Sequence, residues 1–485
     1  MSPTARRGSR PLTFAVLAVS VISFVLLQSL VVPVLTATQR EFGTDQATVT
    51  WVLTAYLLSA SICTPLVGRF GDAVGKRRML VITLVALAIG SLVAALAPSI
   101  EWLIVARVIQ GAGGGVLPLA FGIVRDEFRE RMTTAISVLS SLTAVGFGAG
   151  IVVAGPIVDT LGYDWLYWLP MIATSIAALV ALVFVPESPV RTPGRLPALP
   201  AVLLAVWLVA LLLGLSEGNA WGWTSPRVLG LFALAAVVAL AWVQVERRVP
   251  VPMIDMRMMA RRGVWTTNLV ALFVGFGMFA SFGFLPQFLQ TPSSAGYGFD
   301  ASISESGRLL VPSALASFVV GFTTARLVRA VGARLVITTG AVLTGLAFFA
   351  IALWHDATWQ LYAATTLQGV GSGLVFSSLA GVVVMSVPAE QTGVASGMNA
   401  NIRTIGGSIG SAVMAGIVTA HVGPLGIPVE TGYTVGFAVL GGAMLLAAAG
   451  ASFVPDVHRQ ATPGPLADAD NAELGLVPAA STRQT

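Results

Sequence analysis

Charged residues are scarce in this chain of 485 residues. Asp, Glu, Lys and Arg make up 10% of the sequence, whereas hydrophobic residues make up 56%; a soluble domain carries about 25% charged residues. Apolar runs of membrane-spanning length recur from end to end, each able to cross a bilayer core of about 30 Å. The sequence therefore predicts an all-α, polytopic membrane protein. The alternating segments of about ten residues that a membrane β-barrel needs are missing.

Lysine, cysteine and histidine are nearly absent. Lys76 is the only lysine beside 26 arginines, Cys63 is the only cysteine, and the three histidines (His355, His421 and His458) lie far apart. A single cysteine excludes an intrachain disulfide, and the histidines form no metal-ligand cluster. The glycine-rich stretches lie within apolar helices and do not match a dinucleotide-binding fingerprint. We therefore expect no enzyme activity, no cofactor and no metal.

Hydropathy divides the chain into fourteen predicted membrane helices. They span 12–35, 50–70, 79–98, 101–124, 134–158, 164–185, 197–216, 226–244, 263–289, 305–328, 334–354, 358–386, 394–420 and 432–454. We predict four regions from this division: a six-helix bundle at 1–190, an inserted two-helix hairpin at 191–250, a second bundle at 251–456, and a disordered cytoplasmic tail at 457–485.

The basic residues fall mainly in alternate loops. With the N-terminus inside the cell, 22 of the 27 lie on the cytoplasmic side, Arg40, Arg227 and Arg308 lie outside, and Arg107 and Arg403 lie within helices. An excess of Arg and Lys marks cytoplasmic loops. This bias predicts a multi-pass protein of the cytoplasmic membrane with both termini inside. It also accounts for the basic charge without a nucleic-acid partner.

The two halves of the sequence repeat. RFGDAVGKR at 69–77 aligns with RLVRAVGAR at 326–334, and QGAGGG at 110–115 aligns with QGVGSG at 368–373. The two offsets, 257 and 258 residues, agree and leave room for two extra helices between the halves. Internal repeats of this kind are typical of transporters, whose substrate sites lie near the bilayer midplane between the repeats.

The stretch GRFGDAVGKRRM at 68–79 places an acid among cations where predicted helices 2 and 3 join. A carboxylate surrounded by cations can hold two helices together in one state and release them in another; the alternative is an ordinary cytoplasmic loop. The pattern resembles the signature loop of the major facilitator superfamily, which implies two six-helix bundles around a central cavity. On that resemblance the conformational switch consists of Gly68, Asp72, Gly75, Lys76 and Arg77, with Asp126 near the end of predicted helix 4.

Two arginines interrupt apolar helices. LIVARVIQGAGGGVLP places Arg107 and Gln110 on one face of predicted helix 4, and NANIRTIGGSIG places Asn399 and Arg403 on predicted helix 13. An intramembrane charge normally faces the bundle interior or a water-filled cavity, although Arg107 lies close enough to its helix end to reach the interface instead. Both stretches resemble motifs of the fourteen-helix drug:proton antiporters. Thr404 replaces the glutamine that usually follows the second arginine.

A third stretch, GFGAGIVVAGP at 146–156, resembles the helix 5 motif of antiporters in the same superfamily. The resemblance implies that its small residues let helix 5 bend and pack: Gly146, Gly150, Gly155 and Pro156. The motif usually continues with paired glycines, where this chain has Asp159 and Thr160. The segment GLSEGNAWGWTSP at 214–226 resembles the loop between the two extra helices of the same branch, which supports fourteen helices.

The resemblance fails in predicted helix 1, where the branch usually has an aspartate and this chain has Gln28. None of the 22 acidic residues lies mid-membrane. We therefore predict a net positive cavity, lined by Gln28, Arg107, Gln110, Asn399 and Arg403, that favours neutral, zwitterionic or anionic compounds over dications. An arginine cannot carry the proton, because its side chain stays protonated.

A coupled proton can then bind a carboxylate at a helix end, or the substrate can carry its own proton. Asp159 and Glu305, on the outer side, are the candidates, while Asp72 governs the switch.

The resemblance implies a secondary active transporter that exports small organic compounds, including drugs and antibiotics, by proton antiport and alternating access. Its expected partners are the substrate, protons and the lipid bilayer, and we expect a monomer. One alternative is a proton-independent exchanger of anionic or zwitterionic metabolites. Another is a receptor or scaffold that has kept the fold and lost transport.

Overall fold

The computed structural model describes residues 10–44, 46–188, 198–421 and 428–455. Within these ranges, fourteen helices are long and apolar enough to cross a membrane. They are α1 (Arg10–Leu30), α2 (Gln46–Val74), α3 (Lys76–Ala95), α4 (Ile100–Glu127), α5 (Met132–Leu161), α6 (Trp165–Phe184), α7 (Ala198–Trp221), α8 (Pro226–Arg248), α9 (Arg262–Gln290), α10 (Ile303–Val331), α11 (Ala333–Leu353), α12 (Thr358–Met385), α13 (Thr392–Ala420) and α14 (Glu430–Ala451).

The predicted all-α membrane fold with fourteen spans is confirmed. Helices α1–α6 and α9–α14 correspond to the two predicted bundles, and α7 and α8 to the inserted hairpin. The predicted tail at 457–485 lies outside the described residues. We call the end of the helices at which Asp72 lies the switch end, and the opposite end the open end.

The switch segment is helical, so the prediction of a loop there is wrong. Helix α2 continues to Val74, α3 begins at Lys76, and Gly75 alone separates them. Gly75 has a φ of +132°, which favours glycine, and a Cβ at this position would lie 2.7 Å from the Glu187 carboxylate. The backbone therefore turns within a single residue, and the helix holds Asp72 rigidly at the boundary between the bundles.

Small residues let the two bundles approach each other along two pairs of helices. Helix α2 packs against α13, and α5 packs against α10. Gly68 and Gly393 meet backbone to backbone, and Gly148 lies directly against Ala314 of α10. Close contacts of this kind stabilise helix pairs in lipid, where there is no hydrophobic driving force between helices.

The hairpin packs on both bundles. Leu204, Leu208 and Leu212 of α7 share a core cluster with apolar residues of α9, α12 and α13. Near the open end, the Ser216 hydroxyl on α7 lies 2.9 Å from that of Thr54 on α2. One turn further on, Asn219 donates to the Ala412 carbonyl of α13 over 3.3 Å. Helix α7 therefore spans the seam between α2 and α13.

Candidate functional site: a central cavity closed at the switch end

Asp72 joins the two bundles at the switch end. Its carboxylate accepts hydrogen bonds from the backbone N–H groups of Gly393 (3.3 Å) and Val394 (3.1 Å) in the first turn of α13. The side chain is 1% exposed. These N–H groups begin a helix, where the helix dipole favours a negative charge. The predicted switch acid therefore holds the first turn of the opposite bundle.

Arg125, which the sequence analysis counted only as a loop cation, forms a second link between the bundles. Its guanidinium donates from α4 to the Val384 carbonyl (2.6 Å), the Pro388 carbonyl (3.2 Å) and the Thr392 hydroxyl (2.7 Å). Because two of these acceptors are backbone carbonyls, no acidic partner in the sequence could have indicated the contact.

The remaining switch residues tie helices of the first bundle together. Lys76 pairs with Asp126 over 2.8 Å, and both side chains are almost completely buried. Ser188 hydrogen-bonds to the same carboxylate. Arg77 lies 3.7 Å from the Glu187 carboxylate, which also accepts its backbone N–H. Lys76, Asp126 and Arg77 therefore brace α3, α4 and the segment after α6.

A further buried carboxylate, also missed from the sequence, connects the hairpin to this region. Glu246 near the end of α8 is 2% exposed. It accepts the backbone N–H groups of Met253 (2.9 Å) and Ile254 (3.2 Å). Arg69 interacts electrostatically with both Glu246 and Asp72, so the hairpin adjoins the switch.

Three connected chambers lie between the bundles. The outer one, of about 410 Å³, is lined by the open-end halves of α2, α7 and α13. A middle chamber of about 100 Å³ shares Gln28, Tyr56 and Phe147 with it. A narrow inner chamber of about 20 Å³ shares Phe376 and Arg403 with the middle one. The cavity therefore extends from the open end inward and stops at the closed switch end.

Arg107 is completely buried in the wall of the outer chamber. Its Nε donates to the Val52 carbonyl of α2 (3.1 Å), its Nη1 donates to the Gln110 side chain (2.7 Å), and its guanidinium lies 4.4 Å from the Tyr56 ring centroid. Extension to the membrane interface is therefore wrong for Arg107. Its charge is stabilised by a carbonyl, an amide and an aromatic ring instead of a carboxylate.

Gln110 accepts a hydrogen bond from Arg107 and is itself held by α3. Its amide is fully buried and donates to the Ser91 hydroxyl of α3 over 3.1 Å. Gln28 lines the middle and outer chambers, while the Arg107 hydrogen bonds go to Val52 and Gln110. The structure thus places Gln28 on the chamber surface and Gln110 in the packing between α3 and α4.

Arg403 faces the cavity and lines both the inner and the middle chamber. Its guanidinium lies 5.1 Å from the Phe376 ring centroid. Asn399, one turn earlier, lines the inner chamber and donates to Asn268 of α9 over 2.9 Å. These two predicted cavity residues therefore lie together near the closed end.

The two candidate proton carriers lie away from the chambers. Asp159 is exposed near the end of α5. Glu305 caps α10, where its carboxylate accepts the Ser302 backbone N–H (2.8 Å), and it lies 3.7 Å from Arg308. Neither acid is among the residues that line the three chambers.

The glycines of the helix 5 motif are packing positions. A Cβ at Gly146 would lie 3.2 Å from Val25, and one at Gly150 would overlap Ser29, both on α1. Gly155 faces Ser304 of α10, and Pro156 lies inside the continuous α5. The motif therefore lets α5 contact α1 within its own bundle and α10 in the other.

Close packing at Gly68 makes closure of the switch end testable. A Cβ added there would lie 2.5 Å from the Gly393 carbonyl oxygen, whereas a Cβ at Gly442 of α14 meets nothing within 4 Å. Overpacking costs about 1–3 kcal/mol, so Gly68→Ala should shift the equilibrium toward an open switch end by roughly 5- to 150-fold. Gly442→Ala should not.

For the measurement, Cys63 is replaced by alanine, and Ala380→Cys places a single reactive cysteine in the inner chamber. A membrane-impermeant maleimide added from the switch side should then label the Gly68→Ala protein faster. Equal labelling rates in the Gly68→Ala and Gly442→Ala backgrounds would contradict the proposed closure.

Comparisons with known proteins agree with this architecture. The chain matches the profile of the Major Facilitator Superfamily over residues 17–294 and 267–482. It is 30% identical to the cephamycin export protein CmcT of Amycolatopsis lactamdurans over 476 residues, which cover 94% of this chain and 95% of that one. It is 29% identical to a multidrug resistance protein B homolog of Mycobacterium tuberculosis, over 78% of this chain and 71% of the relative.

Among solved structures, the human organic anion transporter MFSD10 (TETRAN) superposes with a TM-score of 0.66 at 17% identity. The match covers 92% of this chain and all of the other. At this identity the likeness supports the fold alone.

Proposed function

Because the chain belongs to the major facilitator superfamily, we propose that it exports small organic compounds, among them drugs, antibiotics or natural products, by alternating access. The relatives are named as an exporter and a resistance protein. The observation that carries the proposal is the asymmetry of the cavity. Asp72 and Arg125 join the bundles at one end, while a chamber of about 410 Å³ lies toward the other.

We assign the switch end to the cytoplasm, since most basic residues then lie on the cytoplasmic side, in agreement with the positive-inside rule. In this orientation both termini are cytoplasmic and the cavity faces outward. Release of a compound to the outside would be followed by separation of Asp72 and Arg125 from the second bundle, which opens the cytoplasmic side for the next molecule.

Proton antiport supplies the driving force in this proposal. Asp72 governs the switch because protonation would weaken the hydrogen bonds that it accepts from Gly393 and Val394. Asp159 or Glu305, which are exposed at the open end, would exchange the proton with the outside. The protein would act as a monomer, with each chain holding its own cavity.

A panel experiment tests export and coupling together. Inside-out vesicles holding an inward proton gradient would receive neutral, anionic, monocationic and dicationic compounds while a quenched dye reports the gradient. A compound that collapses the gradient with the wild-type protein but not with Arg107→Ala supports antiport. Strong, saturable uptake of a dication would contradict the net positive cavity.

Variants of the two exposed acids test their role. We expect that either Asp159→Asn or Glu305→Gln, and in any case the double variant, slows substrate-dependent proton release by about a hundredfold, the lower end of the range for losing a positioned acid or base. Uptake of labelled compound without a gradient should stay unchanged. Full proton-coupled transport in both single variants and in the double variant would rule these acids out.

Proton-independent exchange is the second candidate. One observation favours it: no carboxylate lines any of the three chambers in the described part of the chain. Exchange predicts that an internal compound accelerates uptake of a labelled one after the proton gradient has been abolished by an ionophore. Antiport predicts that the ionophore stops net accumulation.

A further inference from the structure

We propose that Arg403, with the hydroxyls of Ser140 and Ser396, forms a subsite for a carboxylate group of the exported compound. The inference rests on the proposed export and names the chemical class of its substrate. All three residues line the inner chamber, at the closed end of the cavity.

The guanidinium of Arg403 has unused hydrogen-bonding capacity. It carries five N–H donors and a permanent charge. Among the residues that the structure describes, no side chain or carbonyl accepts a hydrogen bond from it, and no carboxylate pairs with it. Its aromatic neighbour Phe376, 5.1 Å away, interacts with the cation through its ring and leaves the N–H donors free.

The surroundings supply further donors and no competing acid. Within the described residues, the Ser140 and Ser396 hydroxyls are buried without a hydrogen-bond partner. The inner and middle chambers contain no Asp or Glu in their walls. The buried carboxylates of Asp72 and Glu246 already accept backbone N–H groups elsewhere. A ligand anion is therefore the partner that the site lacks.

Arg107 differs from Arg403 in its partners. It lines the outer chamber and its Nη2 has no hydrogen-bond partner among the described residues, but its Nε and Nη1 already donate to Val52 and Gln110. The two intramembrane arginines look equivalent in the sequence but therefore have different roles. Arg107 connects α4 to α2, and the guanidinium group of Arg403 faces the chamber. A planar guanidinium fits a carboxylate through two parallel hydrogen bonds, which a lysine ammonium cannot reproduce.

The chamber walls define the rest of the compound. Phe147 and Phe282 stack with ring centroids 4.4 Å apart, and Phe279 lies edge-on to Phe147. All three line the middle chamber next to Arg403. The fitting ligand is therefore amphipathic, with a carboxylate at the inner end and an aromatic or apolar body directed toward the open end.

Matched pairs of probes test the subsite. The probes are fluorescent: 2-naphthoate, anthracene-9-carboxylate and 1-pyrenebutyrate, each compared with its neutral primary amide. Uptake into inside-out vesicles would be measured for the wild-type, Arg403→Gln and Arg403→Lys proteins. We expect wild-type protein to prefer the carboxylates. Arg403→Gln should reduce that preference by about tenfold or more, the size expected for losing a charge-assisted hydrogen bond, while amide uptake persists; Arg403→Lys should keep part of the preference.

A second measurement needs no variant. In wild-type vesicles, each carboxylate should inhibit uptake of 1-pyrenebutyramide at a lower concentration than its own amide does. Equal potency of acid and amide, or an unchanged carboxylate preference in Arg403→Gln, would overturn the subsite. If the amides are taken up and the carboxylates are not preferred, the subsite is wrong but the proposed export stands. If neither these probes nor the compounds of the vesicle panel are taken up, the proposed export itself is contradicted.

Discussion

Arg107→Ala should abolish export while the protein still inserts into the membrane. The substitution removes two hydrogen bonds from a charged donor, to the Val52 carbonyl of α2 and to Gln110, and each such bond contributes about 1.5–3 kcal/mol. It also leaves a buried carbonyl and a buried amide oxygen without their donor. Since α2 carries Asp72 at its other end, the loss weakens the polar link between α4 and the helix that operates the proposed switch.

The expected decrease in export is on the order of hundredfold or more, which corresponds to about 2.7 kcal/mol. Arg107→Lys keeps the charge but cannot reach both acceptors, so it should retain a small fraction of activity. Arg227→Ala removes an exposed arginine at the start of α8 and is the matched control, with export close to wild type. Export at the wild-type rate by Arg107→Ala would contradict the role assigned to Arg107.

Asp126→Asn should destabilise the protein strongly. Asp126 and Lys76 form an ion pair over 2.8 Å, with side chains 3% and 1% exposed. Removing one partner of a buried pair typically costs about 3–5 kcal/mol, because the other charge remains buried and uncompensated. When the purified protein is unfolded by heat or denaturant, the variant should therefore unfold at a clearly lower temperature or denaturant concentration than the wild type.

The double variant Lys76→Met with Asp126→Leu separates charge from packing. Apolar side chains of similar volume often replace a buried pair without loss, so this variant should recover most of the stability. Glu130→Gln, an exposed acid near the same helix end, should change little. If Asp126→Asn is as stable as Glu130→Gln, the pair does not brace α3 against α4.

The sequence predicted the fold because membrane spans depend on local composition. Twenty apolar residues in a row need a bilayer wherever they occur, so hydropathy located all fourteen helices. The switch was partly predictable: Asp72 and Lys76 stand out as charges between apolar helices. That Asp72 binds the first turn of α13, more than 300 residues away, depends on how the bundles meet.

Other site residues could not be identified for a physical reason. Arg125 and Glu246 look like ordinary charges at helix ends, and only tertiary packing places them against backbone groups. Arg107 and Arg403 share one sequence spacing, yet Arg107 donates to a carbonyl and a glutamine, whereas Arg403 donates to no acceptor among the described residues and lines the inner chamber. Backbone acceptors have no side-chain signature, so the sequence could not separate these two roles.

Helix α7 has a consequence for the path that a compound takes. Leu212, Leu215, Ser216 and Asn219 form part of the wall of the outer chamber, and they do so at the seam between α2 and α13. On this side α7 stands between the chamber and the hydrocarbon tails of the lipids. We expect a molecule released from Arg403 to leave into water at the membrane surface, because the hairpin blocks lateral exit from the chamber into the bilayer.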